Sequence, residues 1–353
     1  MSAGASTGPP RLGEALDTDA VTGWLRGIGL DVSGAPVVTQ YTGGASNWTY
    51  RLEYPGHDLV LRRPPAGRKA KSAHDMGREF RIQQALRPTF GRVPEMVGHC
   101  ADDSLLGTEF YVMRRVEGWI PRAEFPADHR PDAAEARRLN ELWVDELVAL
   151  HRVDVDAAGL APLGKGPGYP RRQVEGWIER YGQARTWNVP RWTGVTRWLT
   201  ERTPADAGVA LIHNDWRLDN CVFSNEAPSR IVAVLDWELA TVGDPLMELG
   251  SALAYWVQAD DNRLLRAFRR QPSHVPGMMT RREIVARYLE ATGRGDVDWA
   301  FYEVFGLFRL AGIAQQIYWR YHHGQSRNRA FAPFWIAVHA LHHQAKKQMR
   351  RAG

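Results

Sequence analysis

Residues 211–245 read LIHNDWRLDNCVFSNEAPSRIVAVLDWELATVGDP, and this stretch decides how the rest of the chain is interpreted. Its chemistry lies in a few polar side chains, which in order are His213, Asp215, Asn220 and Asp236. Apolar runs typical of buried strands come directly before the first and the last of these groups, at 209–212 and 231–235. We therefore expect both carboxylates at strand ends, where polar groups leave a core and chemistry usually occurs.

The spacing of these side chains matches the needs of phosphoryl transfer. One carboxylate must orient the attacking hydroxyl, while a second carboxylate and an amide oxygen hold the metal ion that screens the phosphate oxygens. Asp215 with Asn220 five residues later fits the kinase catalytic loop H-R-D-x-x-x-x-N, although Asn214 replaces the arginine. The triplet Asp236-Trp237-Glu238 stands where a kinase has D-F-G. These positions predict Asp215 as a catalytic residue and Asn220 and Asp236 as ligands of Mg²⁺.

Both motifs also resemble those of the aminoglycoside phosphotransferase family, whose loop H-G-D-x-x-x-x-N is followed by a strand and D-W-E. The likeness is greatest to the branch found as a kinase domain fused to some acyl-CoA dehydrogenases, with H-G-D-x-R-L-D-N and V-L-D-W-E-L-x-T-x-G-D-P, and it extends over nearly the whole chain. The resemblance implies an α+β, protein-kinase-like fold of two lobes, an N-terminal antiparallel sheet plus helix and a larger, mostly helical C-terminal lobe. It also implies ATP as the phosphate donor, with GTP as the alternative that the residues leave open.

The composition is that of an ordinary soluble globular protein. The 353 residues are 44% hydrophobic and 24% charged, and their number suggests about two domains or lobes. No apolar run is long enough to cross a bilayer, and the N-terminus lacks a signal-peptide pattern, so we expect a cytoplasmic protein with no membrane or nucleic-acid partner. The two cysteines, Cys100 and Cys221, form no disulfide framework. Nothing in the composition indicates an oligomeric state.

A glycine-containing hairpin is predicted near the N-terminus. Strands at 37–41 and 48–54 flank the turn Thr-Gly-Gly-Ala-Ser-Asn, where glycines let backbone N–H groups approach a phosphate and a serine adds a hydroxyl. An ordinary glycine turn is the alternative. In the phosphotransferase family the corresponding hairpin, G-G-x-S-N, covers the nucleotide phosphates, and the resemblance therefore implies nucleotide contacts for Gly43, Gly44 and Ser46.

The next predicted strand, 58–62, carries a candidate cation for the phosphates. Kinases place a lysine on this strand, and it pairs with a glutamate on the following helix. Alignment of Leu59-Val60-Leu61 with the kinase strand puts Arg62 in the lysine position, and Arg63 is the alternative if the register differs by one. Glu79 is the predicted acidic partner, unless it is an ordinary exposed helix residue.

The segment 107–116 is predicted as a strand that ends at Gly118. By resemblance it is the hinge between the lobes, where backbone groups of Arg114 and Val116 would pair with adenine and Met113 would back the ring. We accordingly predict a disordered N-terminus at 1–14, a nucleotide-binding N-lobe at 15–117, and a helical C-lobe at 118–353 that contains the catalytic loop, the metal site and the acceptor site.

The C-terminal stretch 304–353 contains no Asp or Glu, and its basic side chains are Arg309, Arg320, Arg327, Arg329, Lys346, Lys347, Arg350 and Arg351. It is either a solvated basic helix face or an anion-attracting wall of the acceptor site. Neighbouring histidines in this stretch point in different directions on a helix, which argues against a metal site there.

Arg217 follows the catalytic aspartate by two residues, where many protein kinases have a lysine. It is predicted to neutralise the migrating phosphoryl group, with a salt bridge to Asp219 or Glu238 as the alternative. His213 is expected to support the loop through hydrogen bonds.

Three functions are compatible with these patterns. The first is a kinase that phosphorylates a hydroxyl of a small, neutral or anionic molecule, of the hydroxy acid or acyl thioester type. The second is an aminoglycoside or other antibiotic O-phosphotransferase, but polycationic substrates should meet carboxylates, and 304–353 has none. The third is a nucleotide-binding pseudokinase scaffold. Arg62 makes it conceivable, while the presence of Asp215, Asn220 and Asp236 together argues against it.

Overall fold

Alternating apolar residues in the N-terminal third of the chain form the strands of an antiparallel sheet. The computed structural model describes residues 7–8, 14–41, 47–65, 75–295 and 297–352. The strands are β1 (Thr7–Gly8), β2 (Val37–Tyr41), β3 (Trp48–Tyr54), β4 (His57–Arg63), β5 (Met96–Cys100) and β6 (Phe110–Arg114). Within the described residues the sheet has the order β1-β2-β3-β4-β6-β5. The predicted bounds of β2 and β3 are confirmed.

Part of the predicted nucleotide-binding hairpin lies outside the described residues. This applies to Gly43, Gly44 and Ser46, and also to most of the N-terminus predicted to be disordered. Strand β6 is shorter than the predicted 107–116 at both ends, and a short helix at 103–106, capped by the side chain of Asp102, precedes it. Gly107 ends that helix with φ +75°, a left-handed conformation that favours glycine.

The chain divides into two compact units that do not follow sequence order. The first unit contains Met1–Ile120 and Asp219–Ala240, and the second contains Pro121–Leu218 and Thr241–Gly353. The helices of the first unit are α1 (Thr18–Gly27), α2 (Met76–Leu86) and α3 (Asp103–Leu106). Helix α2 packs on β5 and β6. Its first turn is capped by Asp75, whose carboxylate accepts a hydrogen bond from the N–H of Arg78.

The remaining strands form two short antiparallel pairs. They are β7 (Ala210–Ile212), β8 (Cys221–Phe223), β9 (Ile231–Val234) and β10 (Thr241–Gly243). Strand β8 pairs with β9 in the first unit, and β7 pairs with β10 in the second. The predicted strands 209–212 and 231–235 thus form with slightly shorter bounds.

The second unit is mostly helical, as predicted. Its helices are α4 (Ala133–His151), α5 (Tyr169–Ala184), α6 (Thr193–Glu201), α7 (Pro245–Ala254), α8 (Arg263–Ala267), α9 (Arg281–Ala291), α10 (Trp299–His322) and α11 (Phe334–Arg351). Asp244 caps α7, with Pro245 at the first helical position, and Thr280 and Glu283 form a capping box on α9.

Helix α10 is the centre of the second unit and packs against α5, α7 and α11. It approaches α7 closely because both helices have a glycine at the crossing. A Cβ on Gly250 would lie 2.4 Å from the carbonyl oxygen of Tyr302, and a Cβ on Gly306 would lie 2.1 Å from the carbonyl oxygen of Gly250. Among the described residues, no helix combines the length and apolar character needed to cross a membrane.

Candidate active site

The pairing of β8 with β9 brings together the two residues predicted to bind metal. Cys221 lies opposite Val234 in the antiparallel pair, so the residue before β8 and the residues after β9 meet at one end. The N–H of Leu235 donates to the carbonyl oxygen of Asn220 at 2.8 Å, which closes this end of the pair. Asn220 is buried, and Asp236 follows directly in the chain after Leu235.

The backbone turns sharply at Asp236. This residue has φ +69°, a conformation that is uncommon outside glycine and is frequent at functional sites. Trp237 is fully buried next to it and donates from Nε1 to the carbonyl oxygen of Val234 at 2.8 Å. Arg78 of α2 donates to the carbonyl oxygens of Glu238 and Ala240. These contacts hold the backbone of the turn that carries the Asp236 carboxylate.

Arg62 on β4 joins the sheet, helix α2 and the turn at Asp236, which is predicted to bind metal, within the first unit. Its Nη1 pairs with Oε1 of Glu79, and its Nη2 lies 3.2 Å from Oδ1 of Asp236. The hydroxyl of Tyr111 also donates to Oε1 of Glu79, at 2.9 Å. Desolvation works against the charge on Arg62, but the carboxylates of Glu79 and Asp236 hold its pKa well above its usual range. A largely buried, permanently charged guanidinium therefore lies between two carboxylates.

The neighbouring Arg63 has different partners. Its guanidinium donates to the carbonyl oxygens of Ala15 and Leu106, both at 3.2 Å, and lies over the rings of Trp48 and Tyr50. Successive residues of a strand point to opposite faces of a sheet. Arg62 is therefore the residue of this pair that contacts Glu79. Glu79 itself is only 2% exposed, so its alternative interpretation as an ordinary exposed helix residue is wrong.

The residues predicted to form the hinge lie at the end of β6 and directly after it. Met113 is buried in a cluster with Val60, Met76 and Tyr111. The N–H of Arg114 donates to the carbonyl oxygen of Glu95 at 2.8 Å, so this N–H is already engaged within the first unit. Val116 is half-buried and follows the strand.

Gly118 and Trp119 connect the end of this segment to the hairpin that carries Asn220. The N–H of Trp119 donates to the carbonyl oxygen of Phe223, and the N–H of Phe223 donates to the carbonyl oxygen of Trp119, both at 2.8 Å. The rings of the two residues stack, with their centroids 4.7 Å apart. Gly118 has φ +148°, and a Cβ there would lie 2.2 Å from the carbonyl oxygen of Phe223. Only glycine fits this close approach of two backbones.

In the second unit, the loop that contains Asp215 directly follows β7. His213 is fully buried directly after the strand, and its Nδ1 accepts a hydrogen bond from the N–H of Asp215 at 3.2 Å. Asn214 between them has φ +64°. The local arrangement thus matches the supporting part predicted for His213.

Glu248 of α7 holds this loop through hydrogen bonds to its backbone. Its carboxylate accepts hydrogen bonds from the N–H groups of His213, at 3.1 Å, and Asn214. It also lies 2.7 Å from Nε2 of His151, whose Nδ1 lies 2.6 Å from the hydroxyl of Tyr288. Neither Glu248 nor His151 was among the predicted site residues. A single acid in the apolar sequence PLMELGSALA was the signal that could have indicated Glu248, since a buried acid needs partners.

Arg217 forms an ion pair with Asp215 itself. Its Nε lies 3.2 Å from Oδ1 of Asp215, and its guanidinium carbon lies 5.0 Å from the ring centroid of Tyr255. Both side chains of the pair are 18% exposed. A small anion that reaches Asp215 would therefore meet a cation there as well.

Two more residues of the second unit fix Asn214. Tyr169 of α5 donates from its hydroxyl to Oδ1 of Asn214 at 3.3 Å, and Arg309 of α10 donates from Nη2 to the Asn214 carbonyl oxygen at 2.8 Å. Burial is the largest influence on Tyr169 and raises its pKa to about 12, so the hydroxyl remains a donor at neutral pH. Arg309 belongs to the acid-free C-terminal stretch.

The side chains of the site fit an open magnesium site with few protein ligands better than a metal site closed by protein ligands alone. Within the described ranges there is no group of three or more His, Cys, Asp or Glu side chains that could hold a metal. Mg²⁺ instead keeps several waters and takes one or two protein carboxylates together with substrate phosphates. Asp236, whose side chain is 36% exposed, and Asn220 fit that pattern.

Comparison with known proteins agrees with this geometry. The model of the phosphotransferase enzyme family matches residues 37–284. Acyl-CoA dehydrogenase family member 10 of Mus musculus is 36% identical over 326 residues, which cover 91% of this chain and 30% of the relative. Family member 11 of Homo sapiens is 35% identical over 301 residues, which cover 84% of this chain and 38% of the relative. The chain thus spans about a third of the length of these relatives.

Solved structures show the same fold. A crystal structure from Ralstonia eutropha, assigned as an aminoglycoside phosphotransferase, has a TM-score of 0.81 and 29% identity and covers 95% of this chain and 98% of its own. An aminoglycoside phosphotransferase in ternary complex with AMP-PNP and hygromycin B has a TM-score of 0.57 and 16% identity, with coverage of 95% and 98%, a likeness of fold alone. The predicted α+β, kinase-like fold class is confirmed. The chain belongs to the phosphotransferase enzyme family of small-molecule kinases, as its motifs predicted.

Proposed function

We propose that this chain transfers the γ-phosphate of ATP to a hydroxyl of a small neutral or anionic molecule, of the hydroxy acid or acyl thioester type. The observation that carries the proposal is the double contact of Arg62 with Glu79 and Asp236. Kinases use a cation on this strand to hold the donor phosphates, and that cation is kept in place by a helix glutamate. Arg62 has the charge and the partners for this role, although its planar fork differs from a lysine ammonium.

Asn220 and Asp236 would hold Mg²⁺ through one amide oxygen and one carboxylate. When bound, the ion would screen the negative charge of the phosphate oxygens. The contact of Arg62 with Oδ1 of Asp236 would orient that carboxylate toward its ligand.

Asp215 would accept a hydrogen bond from the acceptor hydroxyl and align it with the γ-phosphorus. A carboxylate is a weak base at neutral pH, so this contribution is mainly one of positioning. Arg217, which pairs with Asp215, would neutralise the phosphoryl group during transfer. Glu248 and His213 would keep the loop in place through the hydrogen bonds described above.

The rest of the nucleotide site is proposed from the family motifs. Gly43, Gly44 and Ser46 would cover the phosphates. Met113 would back the adenine ring, and backbone groups of Arg114 and Val116 would pair with its edge. Since the Arg114 N–H is bound to Glu95, the adenine contact of Arg114 would be made by its carbonyl oxygen.

The preference for a neutral or anionic acceptor rests on charge. The stretch 304–353 has no carboxylate, and its Arg309 contacts the residue next to Asp215. A polycationic acceptor would be repelled by such a surface. Two relatives are named acyl-CoA dehydrogenases, and such names fit an acceptor that is an acyl thioester or the hydroxy acid from which the thioester is formed.

An assay of ADP release tests the proposal. The purified chain would be incubated with Mg-ATP and with 3-hydroxybutyrate, 3-hydroxybutyryl-CoA or kanamycin. We expect acceptor-dependent ADP release with a hydroxy acid or its thioester, and a drop of at least about a hundredfold in the variant Asp215→Asn. Rapid turnover of kanamycin would overturn the proposed acceptor class. Unchanged ADP release in Asp215→Asn would overturn the catalytic assignment of Asp215.

A further inference from the structure

Two arginines of the second unit converge on one aromatic ring. The guanidinium carbon of Arg180, on α5, lies 4.2 Å from the ring centroid of Trp177, and that of Arg309, on α10, lies 5.5 Å from it. Arginine over an aromatic face is attracted by the ring quadrupole and has its planar group held in one orientation. The two guanidinium groups are therefore fixed on a shared aromatic support.

Two glycines make room for this arrangement. A Cβ on Gly312 of α10 would lie 2.8 Å from Cε3 of Trp177, closer than side chains tolerate. A Cβ on Gly176 would lie 3.2 Å from Nη2 of Arg180. The ring and the Arg180 guanidinium thus occupy spaces that any larger residue would fill in part. The contact at Gly312 in particular shows that the Trp177 ring packs closely against α10.

This cluster carries two positive charges that no carboxylate neutralises by direct contact in the part of the chain that the structure describes. No ion pair there joins Arg180 or Arg309 to a carboxylate, and Nε of Arg180 is buried without a hydrogen-bond partner. The adjacent Glu179 is exposed and accepts a hydrogen bond from Gln183 instead. Burial and then the charge of Arg309 lower the pKa of Arg180, and the charge of the nearby Glu179 opposes this only in part. Two neighbouring cations of this kind are stabilised by an anion that binds both.

The cluster adjoins the catalytic loop. Arg309 donates to the carbonyl oxygen of Asn214 at 2.8 Å, and Asn214 directly precedes Asp215. Tyr169, on the same helix as Arg180, donates to the side chain of Asn214. An acceptor whose hydroxyl reaches Asp215 would therefore have other parts of its structure near these arginines.

We propose that Arg180 and Arg309, supported by Trp177, form a binding subsite for an anionic group of the acceptor, a carboxylate or a phosphate. The subsite rests on the proposed function in that its ligand is the molecule phosphorylated through Asp215. It explains which member of the acid-free C-terminal stretch acts on the acceptor. Arg180 supplies the cation with an unpartnered donor, while Arg309 both contacts the anion and holds the loop.

The decisive variant is Arg180→Gln, because Arg309 also supports the loop backbone. Kinetics would be measured with 3-hydroxybutyrate, its methyl ester and 3-hydroxybutyryl-CoA, with Mg-ATP saturating. Loss of one charge-assisted hydrogen bond should raise KM for an anionic acceptor by about tenfold or more. The methyl ester lacks the carboxylate, so the change measured with it should be several-fold smaller. Arg180→Lys should recover part of the loss, and Arg197→Gln, which removes an exposed arginine on α6, serves as the matched control.

The two anionic substrates distinguish the source of the charge. If the carboxylate of the free acid is the ligand, Arg180→Gln affects 3-hydroxybutyrate most. If a phosphate of coenzyme A is the ligand, it affects the thioester most. An equal change for the acid, the thioester and the methyl ester, or no change for any of them, would overturn the subsite.

Direct binding separates this proposal from the proposed function. Inorganic phosphate would be titrated calorimetrically into the chain saturated with Mg-ADP, so that the nucleotide site is filled. We expect binding by the wild type and by Arg197→Gln, and at least about tenfold weaker binding by Arg180→Gln. This outcome would support the subsite even if none of the tested acceptors were phosphorylated. Phosphate binding that is absent from the wild type or unchanged in Arg180→Gln would refute it.

Discussion

The carboxylate of Glu248 lies 2.7 Å from Nε2 of His151, and the two side chains are only 1% and 3% exposed. The same carboxylate accepts the backbone N–H groups of His213 and Asn214. Glu248 of α7 therefore holds the two residues directly before Asp215, and His151 of α4 holds Glu248 in turn. The conformation of the predicted catalytic loop therefore depends on a buried acid that does not itself belong to the loop.

Glu248→Gln should lower both stability and turnover. An amide presents only one oxygen, so one of the two backbone N–H groups or His151 loses its acceptor, and a buried unsatisfied donor costs about 1–3 kcal/mol. We expect that loss in urea unfolding, together with a fall in kcat that exceeds any change in KM for ATP. Glu290→Gln, on the exposed side of α9, is the control. A stable variant with unchanged kcat would contradict the positioning role of Glu248.

Substitutions at Arg62 should separate stability from catalysis. Arg62→Met leaves Glu79 buried without its cation, and breaking a buried pair in this way costs about 3–5 kcal/mol. Burial already raises the pKa of Glu79, and the loss of Arg62 removes the influence that opposes this rise. We expect lower stability in urea unfolding and a large fall in kcat/KM for ATP.

The double variant Arg62→Met with Glu79→Leu supplies the control for that experiment. It removes both charges, so much of the lost stability should return while ATP turnover stays low. Arg62→Lys should keep the pair with Glu79 but lose the forked contact to Asp236, and its KM for ATP should rise. Full activity in the double variant would show that Arg62 acts only in folding.

Gly118→Ala should destabilise the first unit. Its Cβ would collide with the carbonyl oxygen of Phe223, and φ +148° is unfavourable for alanine. We expect a loss of more than about 2 kcal/mol in urea unfolding, and weaker Mg-ATP binding because Phe223 belongs to the hairpin that carries Asn220. Gly107→Ala is a matched control, since it also has positive φ but nothing lies within 4 Å of the added atom. Similar losses for the two variants would mean that backbone conformation alone is responsible.

Glu283 gives a prediction for acid pH. A hydrogen bond from Arg137, followed by bonds from the backbone and hydroxyl of Thr280, lowers the pKa of Glu283 from 4.5 to about 2. A depressed carboxyl pKa stabilises the folded state above the unfolded pKa, and this contribution disappears as pH falls from about 4.5 toward 2. The melting temperature of Glu283→Gln should therefore lie below that of the wild type at neutral pH and approach it in acid. An unchanged difference down to the lowest measurable pH would contradict the depressed pKa, and Glu290→Gln is again the control.

Short-range spacing along the chain determined much of this protein by itself. The distance from Asp215 to Asn220 and the following Asp236 predicted a phosphoryl-transfer site, because a loop and a short hairpin leave few ways to arrange such near neighbours. Helix caps such as Asp244 and the box at Thr280 were equally predictable, since a cap depends on residues two or three positions away.

Only the tertiary structure decided the contacts between distant parts of the chain. Strand alternation says that Arg62 and Arg63 point to opposite faces, but not which face meets Glu79, because that depends on where α2 packs on the sheet. Likewise, Glu248 reaches the catalytic loop and Arg309 joins Arg180 at Trp177 only through the packing of helices. The sequence thus determined the chemistry of the reaction, whereas the folded arrangement decided which buried charges support it, because those contacts depend on long-range packing.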